Sequence, residues 1–303
     1  MKTAVLHQIK SFFVVGIMIC ATVSAQTVTE YKNAGGIYHE VRSDTANPCR
    51  YTEDNQVYRA GNEYTFAFRY FNPQGEERFM RVYKEAVRKP EINEQGDTSY
   101  YTFLYARHML VDTFDEDSCI RQYTVRINPS NIGYGFSPDY DQTVEVFEFW
   151  LKNGARPFDV SASGIVENER NIWMHPPRSL LLSVLELNPF PYIKFPAKKG
   201  LKWKWKLTIG SQWGDPLWKE WEGAIVNRYR YRIVDTSCLL STALGTLDCV
   251  CVEASAKSRI GKTRLTAYYN EKYGFVKFDY TNIDGSKIVI DLQSLRSDFH
   301  TLK

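Results

Sequence analysis

The chain has 303 residues and a formal net charge of +3 at pH 7. Its six cysteines are too few for a disulfide-rich scaffold, and near-neutrality gives no reason to expect nucleic acid as a partner. Aromatic residues make up 15% of the sequence, with 20 tyrosines, which favours strands over helices.

The first 25 residues have the pattern of a secretory signal peptide. Lys2 and Lys10 precede the apolar run 12–23. The run is followed by the small residues Ser24 and Ala25, as at a signal-peptide cleavage site. We expect cleavage after Ala25 and an exported chain, periplasmic or secreted, that starts at Gln26. The apolar run is too short to span a bilayer comfortably, and no later segment is a better candidate. An integral membrane protein is therefore not expected.

Charge divides the exported chain unevenly. Residues 26–197 carry 18 basic and 24 acidic residues, a net charge of −6, whereas residues 198–303 carry 18 basic and 11 acidic, a net charge of +7. We expect a β-rich N-terminal part (26–170), a Pro-rich connector (171–197) and a C-terminal β-meander (198–303). One continuous domain over 26–303 is the alternative.

Period-two alternation first appears at residues 63–70, where aromatic side chains alternate with polar ones. Asn72-Pro73-Gln74-Gly75 has the residues of a type I turn, so residues 79–83 are expected to return as a hairpin. Further strands are predicted at 100–105, 120–127 and 144–151, with a long loop over 128–142.

The connector is the one segment with a helical signal. Ser179 is a candidate N-cap of a short helix ending at Leu187, flanked by prolines on both sides. Leu181, Val184 and Leu185 would share one face. This helix is expected to plug or cross a sheet.

Strand signals recur at short spacing after the connector. They cover residues 203–209, 227–234, 247–256, 264–270, 275–281 and 286–292. Asp284-Gly285 predicts a type I′ hairpin turn before the last of them. The sequence therefore predicts a mostly all-β protein: an antiparallel meander forming a curved sheet or partly open barrel, with one short Pro-flanked helix.

Two of these strands carry a basic face. In an extended chain Trp203 and Trp205 point one way while Lys202, Lys204 and Lys206 point the other. "NRYRYRIV" repeats the pattern, with Arg228, Arg230 and Arg232 sharing a side. The face is either solvated or neutralised within the protein, or it binds an anionic lipid headgroup or glycan. Arg264 and Lys277 could extend it.

The loop 211–223, here called the tryptophan loop, is a second candidate site. It holds Trp213, Trp218 and Trp221 around a Gly-Asp-Pro turn. Exposed rings could stack on sugars or enter a membrane surface, whereas buried rings would close one end of the sheet.

The remaining chemistry is sparse. Cys249 and Cys251 face one side of a strand and Cys238 lies across the expected hairpin, so a Cys238–Cys249 disulfide is one expectation. The spacing of zinc ligands is absent, and no nucleophile or metalloprotease motif is found. We therefore expect no catalytic residues, no metal and no cofactor.

The C-terminal third resembles a group of exported, uncharacterised proteins of Gram-negative bacteria. The matching residues are Gly245, Thr246, Cys249, Tyr273, Gly274, Val276 and Lys277. The resemblance implies a curved, partly open antiparallel barrel and an exported compartment, and it brings no catalytic residues.

Together these features predict an exported, non-enzymatic protein that binds an amphiphilic or anionic envelope molecule or has a structural role in the cell envelope. Such a ligand would be held between an aromatic interior and a basic rim. The alternative is a glycan-binding or glycan-processing module, which would need a pair of carboxylates beside Trp213 or Trp218.

Overall fold

The computed structural model describes residues 31–34, 36–40, 53–92, 98–129 and 143–297. The predicted signal peptide and most of the predicted loop 128–142 lie outside these residues. Within them, antiparallel strands dominate and confirm the predicted fold class.

The strands before the helix are β1 (Tyr31–Ala34), β2 (Ile37–Glu40), β3 (Glu63–Phe71), β4 (Glu77–Ile92), β5 (Thr98–Val111), β6 (Cys119–Ile120), β7 (Gln122–Pro129), β8 (Thr143–Phe149), β9 (Asp159–Asn168) and β10 (Asn171–Met174). A 3₁₀ helix (Leu180–Leu187) follows. After it come β11 (Tyr192–Lys194), β12 (Lys202–Ile209), a short 3₁₀ turn (Ser211–Trp213), β13 (Ile225–Thr242), β14 (Gly245–Ser258), β15 (Gly261–Asn270), β16 (Gly274–Thr281) and β17 (Lys287–Arg296).

One large sheet organises the molecule. Its strand order is β11-β10-β9-β8-β7-β3-β17-β16-β15-β14-β13-β12, with neighbours antiparallel. Strand β3 lies between β7 and β17, so strands from both sides of the connector share this sheet. The end strands β11 and β12 do not hydrogen-bond to each other in the described structure, and the curved sheet stays open.

Aromatic rings join the two ends of the sheet. The Tyr192 ring on β11 is 5.5 Å from the Trp203 ring on β12, and the Trp173 ring on β10 is 5.6 Å from the Trp205 ring. Trp203 in turn stacks on Tyr231 at 5.3 Å. Ring contacts worth about 0.5–1.5 kcal/mol each thus hold together two sheet ends that share no backbone ladder.

The connector contributes β10 and β11 to the sheet, and its helix packs against the buried core between them. Its helix lies where the sequence predicts it, but it is a 3₁₀ helix, and the Ser179 side chain makes no capping hydrogen bond. Burial also extends beyond the single predicted face, since Leu182, Glu186 and Leu187 are buried as well. The helix is therefore a plug enclosed by the sheet.

Polar side chains of the sheet form hydrogen bonds with the backbone carbonyls at and after the end of this helix. The Leu187 carbonyl accepts from Asn227 Nδ2 at 2.8 Å and from Thr263 Oγ1 at 3.0 Å. The Tyr231 hydroxyl donates to the Phe190 carbonyl at 3.1 Å. These bonds replace the partners that a helix C-terminus lacks, and they fix the plug to β13 and β15.

The predicted type I′ turn is wrong in detail. Gly285 has φ 90°, but Asp284 is not among the described residues with positive φ, and a type I′ turn needs positive φ at both central positions. The Gly285 N–H donates to the Asn282 carbonyl at 3.1 Å. The chain turns over Asn282–Gly285, with glycine supplying the left-handed position at its end.

The predicted hairpin between residues 63–71 and 79–83 exists only at its turn. Strand β4 pairs with β3 only at Tyr70–Arg78 and Phe71–Glu77, and then leaves the main sheet. It continues as a regular ladder with β5, from Phe79–Val111 to Ile92–Thr98. We call the outer part of this ladder, residues 83–92 and 98–107, the arm.

Candidate anion-binding face

Strand β12 shows the predicted two faces. Trp203 and Trp205 are 7% and 8% exposed, whereas Lys202, Lys204 and Lys206 are exposed. Strand β13 repeats this pattern, with tyrosines on the buried side and Arg228, Arg230 and Arg232 exposed. Amphipathic alternation is thus confirmed on both strands.

The two basic strands are direct neighbours. Lys202 lies opposite Arg232, Lys204 opposite Arg230, and Lys206 opposite Arg228. Residues directly opposite in an antiparallel pair have Cβ atoms about 4.5–5.5 Å apart, and like charges in that position are destabilising. The fold therefore keeps three unfavourable pairs side by side.

The positive charge continues across β14 and β15. Arg228 lies opposite Lys257, and Lys257 lies opposite Lys262, so a row of four cations that starts at Lys206 crosses four strands. In the next row Arg230 is opposite Ser255, which is opposite Arg264. Lys257 and Lys262 were not predicted to belong to this face, because their position depends on the register of β14 with β13 and of β15 with β14.

We define the basic face as nine exposed side chains: Lys202, Lys204, Lys206, Arg228, Arg230, Arg232, Lys257, Lys262 and Arg264. None of the nine forms an ion pair with any residue that the structure describes. Glu253, opposite Arg232, is a carboxylate in the same rows.

Lys277 does not extend the basic face, contrary to expectation. Its ammonium lies 3.2 Å from Asp291 and 3.6 Å from Asp279, so two carboxylates neutralise it. The fold thus pairs this neighbouring cation within the sheet. The positive charge of the basic face is consequently a local property of β12–β15.

The geometry of this face suits an anion with several charges. Adjacent strands are about 4.8 Å apart, and alternate residues along a strand about 6.8 Å apart. The nine cations therefore form a shallow grid on the outer side of the sheet, with flexible side chains free to adjust. An anionic partner would offset the repulsion that the strand register imposes.

The tryptophan loop packs mainly against the core. Trp218 is 9% exposed, and Trp213 and Trp221 are half-buried against the same cluster. The Trp218 indole donates to the Trp213 carbonyl at 3.2 Å, and the Arg178 guanidinium lies 5.9 Å from the Trp213 ring centre. These contacts agree with the structural alternative, in which the loop closes one end of the sheet.

A small cavity lies between the connector and the sheet. It has a volume of about 10 Å³ between Phe66, Tyr123, Pro177 and Phe278, which is space for about one water molecule. The connector fills the volume beside it. The cations lie on the outer face of the sheet, so the expected arrangement of an aromatic interior with a basic rim is wrong for the described residues.

Glu145 and Glu167 are buried carboxylates that the sequence did not single out. Glu145 on β8 is fully buried, and neither of its oxygens has a hydrogen-bond partner among the described residues. Burial raises its pKa well above the ordinary value, while the nearby Arg178 charge opposes this. Period-two alternation could have indicated it, because Glu145 shares a strand face with Phe147 and Phe149.

Glu167 on β9 is the second of these carboxylates. Its oxygens accept from the backbone N–H groups of Gln56, Val57 and Tyr58 at 2.7, 2.9 and 2.8 Å. Burial raises its pKa, and these three donors oppose the rise. No local sequence pattern relates position 167 to positions 56–58.

Three cysteines meet beside two irregularities of β13. Cys238 lies directly opposite Cys249, and Cys251 lies two residues further along β14. All three carry free thiols in the structure. Burial, and then the neighbouring Cys238, raises the pKa of both Cys249 and Cys251 to about 11.

We expect Cys238 and Cys249 to form a disulfide under oxidising conditions. Directly opposite residues of antiparallel strands have Cα atoms about 4.5–5.5 Å apart, which lies within the range that a disulfide bridges. Closing so short a loop should stabilise the chain by about 3 kcal/mol. Peptide mass mapping without reductant should find this pair, and reductant should lower the stability of the wild type but not that of Cys238→Ser. Recovery of all three thiols unpaired would contradict the prediction.

The described ranges contain neither a membrane-spanning helix nor a metal-ligand set. No helix in the described ranges is both long and apolar enough to cross a membrane. Across those ranges, no three histidine, cysteine or acidic side chains come together as a metal-ligand set.

Comparison with known proteins gives only distant neighbours. No family model and no curated protein matches the chain. A Bacteroides fragilis structure, assigned as an exported protein with a YmcC-like fold, is 9% identical with a TM-score of 0.39 over 80% of this chain and 98% of that one. A Parabacteroides distasonis structure, assigned as a lipoprotein, is 10% identical with a TM-score of 0.31 over 79% and 97%. At this level of similarity neither assignment transfers to this chain.

Proposed function

We propose that this chain is an exported, non-enzymatic protein of the cell envelope that binds an anionic envelope molecule through the basic face. The observation that carries the proposal is the cross-strand register of nine exposed cations without a described ion-pair partner. The predicted signal peptide supports the compartment. Phosphate or carboxylate groups are the chemistry that such a face recognises, whether on a lipid headgroup or on an acidic glycan.

The grid favours a partner that presents several negative charges at once. A single small anion would contact only two or three of the cations and leave the rest repelling one another. A vesicle surface or an acidic polysaccharide can neutralise whole rows. Binding through exposed charges should also weaken with salt, because the Debye length falls from about 10 Å at 0.1 M to about 3 Å at 1 M ionic strength.

Neutralising three central cations should weaken this binding strongly. At an anionic membrane each Lys or Arg contributes about 1 kcal/mol, so Lys204→Gln combined with Arg228→Gln and Arg230→Gln should reduce affinity roughly 100-fold. Co-sedimentation with vesicles containing an acidic phospholipid measures the lipid source, and titration with an acidic polysaccharide measures the glycan source. Neutral vesicles and a neutral polysaccharide should not bind.

A matched control removes the same charge elsewhere. Lys84, Lys152 and Lys272 are exposed and lie outside the basic face. Their combined change to Gln should leave affinity within about threefold of the wild type, because exposed charges more than a Debye length apart are largely screened. Equal losses in both triple variants would show a net-charge effect and would overturn the proposal, as would the absence of binding to either anionic probe.

No contact in the described structure favours a glycan-processing site at the tryptophan loop. Trp218 is buried in the core, the Arg178 guanidinium lies 5.9 Å from the Trp213 ring centre, and the Asp215 carboxylate accepts from the Leu217 N–H at 2.8 Å. The buried Glu145 and Glu186 lie inside the sheet. We therefore keep the anion-binding face as the single proposed function.

A further inference from the structure

The arm has two edges of very different character. On the β4 side, residues 84–91 include Lys84, Glu85, Arg88, Lys89, Pro90 and Glu91. On the β5 side, Arg107 is the only Lys, Arg, Asp or Glu between Thr98 and Val111, and there is no proline. Exposed strand edges are normally protected by charges, prolines, bulges or short length, because an unprotected edge pairs with other strands.

The main sheet follows this rule at its own ends. Strand β11 is only three residues long. Strand β12 carries Lys202, Lys204 and Lys206. By contrast, β5 is 14 residues long, its register with β4 shows no bulge, and β4 is its only pairing partner among the described strands. The edge of β5 therefore lacks the short length that protects β11 and the lysines that protect β12.

Large apolar side chains are exposed on both faces of this edge strand. Tyr100 and Leu104, on one face, are 58% and 66% exposed, and Tyr101 and Phe103, on the other, are 50% and 47% exposed. Closer to the sheet the strand is covered, since Leu110 packs against the core. The free edge thus consists of residues 98–107.

We propose that the edge of β5 pairs antiparallel with β5 of a second copy of this chain, forming a twofold dimer through the arms. A twofold axis beside the free edge of β5 places the β5 strands of two copies next to each other. The two strands then have the same length, and both carry apolar side chains on both faces. Because β5 carries one charge, the pairing meets like-charge opposition only if the axis falls at Arg107. With the axis at Leu104, Arg107, whose guanidinium forms an ion pair with Glu85 at 2.6 Å, lies opposite Tyr101 of the second copy, so no like charges meet.

Pairing with a second copy would satisfy two needs at once. The outward N–H and C=O groups of β5 would gain partners, and the exposed rings would leave water. The ladder would run from β4 through β5 into β5 and β4 of the second copy, with charged β4 edges at both ends. The dimer would therefore terminate with protected edges and would not extend into a fibre.

The test measures the oligomeric state of the exported chain and two lysine variants by sedimentation velocity over a range of concentrations up to about 100 µM, well above a micromolar dissociation constant. Leu104→Lys places a charge on the β5 edge. Ala86→Lys places the same charge directly opposite, on the same face of the arm but on β4. Both positions are exposed, and circular dichroism with the urea midpoint confirms that each variant is folded.

We expect a dimer whose dissociation constant rises at least tenfold in Leu104→Lys and less than threefold in Ala86→Lys. Equal loss in both variants would indicate association through the face of the arm and would overturn the edge pairing. A wild type that stays monomeric over the whole concentration range would overturn the proposal as well. Neither result depends on whether the basic face binds an anion.

Discussion

Replacing Glu167 by alanine should lower the free energy of unfolding by about 4 kcal/mol or more. The variant removes the acceptor for three backbone N–H groups, and those of Val57 and Tyr58 are buried. A buried donor left without a partner costs about 1–3 kcal/mol, and hydrogen bonds to a charged group are at the upper end of this range. All three hydrogen bonds are lost together, because one side chain accepts all three.

The loop that Glu167 holds connects distant parts of the sheet. The Tyr58 hydroxyl accepts from the Phe275 N–H at 2.9 Å, at the start of β16. Gly274, at φ 74°, makes this approach possible, because a Cβ there would lie 2.5 Å from the Tyr58 hydroxyl oxygen. Loss of the Glu167 carboxylate would therefore release contacts on both β9 and β16.

Urea unfolding of the wild type, Glu167→Ala and Glu271→Ala measures this effect. Glu271 is exposed, so its alanine variant should remain within about 0.5 kcal/mol of the wild type. Glu167→Gln keeps one carbonyl oxygen but turns an amide donor towards the backbone donors, so an intermediate loss is expected. A Glu167→Ala variant as stable as Glu271→Ala would show that the loop does not depend on this carboxylate.

Changing Glu145 to glutamine should stabilise the protein at neutral and alkaline pH and have little effect near pH 4. The carboxyl group is fully buried on β8, and burial raises its pKa well above the ordinary value of 4.5. Glutamine has nearly the same shape and cannot ionise. The variant therefore removes the group that titrates and keeps the packing.

The sign follows from proton linkage. Because the pKa of Glu145 is higher in the folded chain than in the unfolded chain, the folded chain keeps a proton that the unfolded chain releases. The resulting stability is fully present below pH 4.5 and is lost as the pH rises towards the folded-state pKa. In that window the unfolding free energy of the wild type should fall, relative to Glu145→Gln, by up to about 1.4 kcal/mol per pH unit.

Urea midpoints of both proteins between pH 4 and pH 8 provide the measurement. Other titrating groups, such as Glu167 and Asp279, contribute equally to both proteins and cancel in the difference between the two curves. A difference that stays constant with pH would show that folding does not raise the pKa of Glu145 and would contradict the prediction.

Sequence periodicity predicted the local elements well. Alternation identified β12 and β13 and assigned Trp203 and Lys204 to opposite faces, because both are properties of one strand. It did not predict that Lys257 and Lys262 complete a cationic row, since that depends on the register between strands. The arm was also missed, because alternation is the same whether β4 pairs with β3 or with β5.

The sequence also does not predict which segments lie in the interior of the protein. A Ser179 cap and one apolar face are correct rules for a surface α-helix. Here the segment lies inside the sheet, where Asn227 and Thr263 supply the hydrogen bonds and every side of the helix meets the core. The tryptophan loop illustrates the same point, because aromatic composition alone does not distinguish an exposed ring from one that closes the sheet.

The position of β3 between β7 and β17 affects how the chain can fold. Phe71 pairs with Lys287, and 216 positions separate them in the sequence. Strands β12–β17 pair with sequence neighbours, whereas β3 pairs with β17 only after a very long loop has closed. The C-terminal meander is therefore the natural place for folding to begin. A polypeptide that stops before Lys287 would lack β17 and leave β3 and β16 each with one unpaired edge, so the sheet becomes continuous only when this last strand is present.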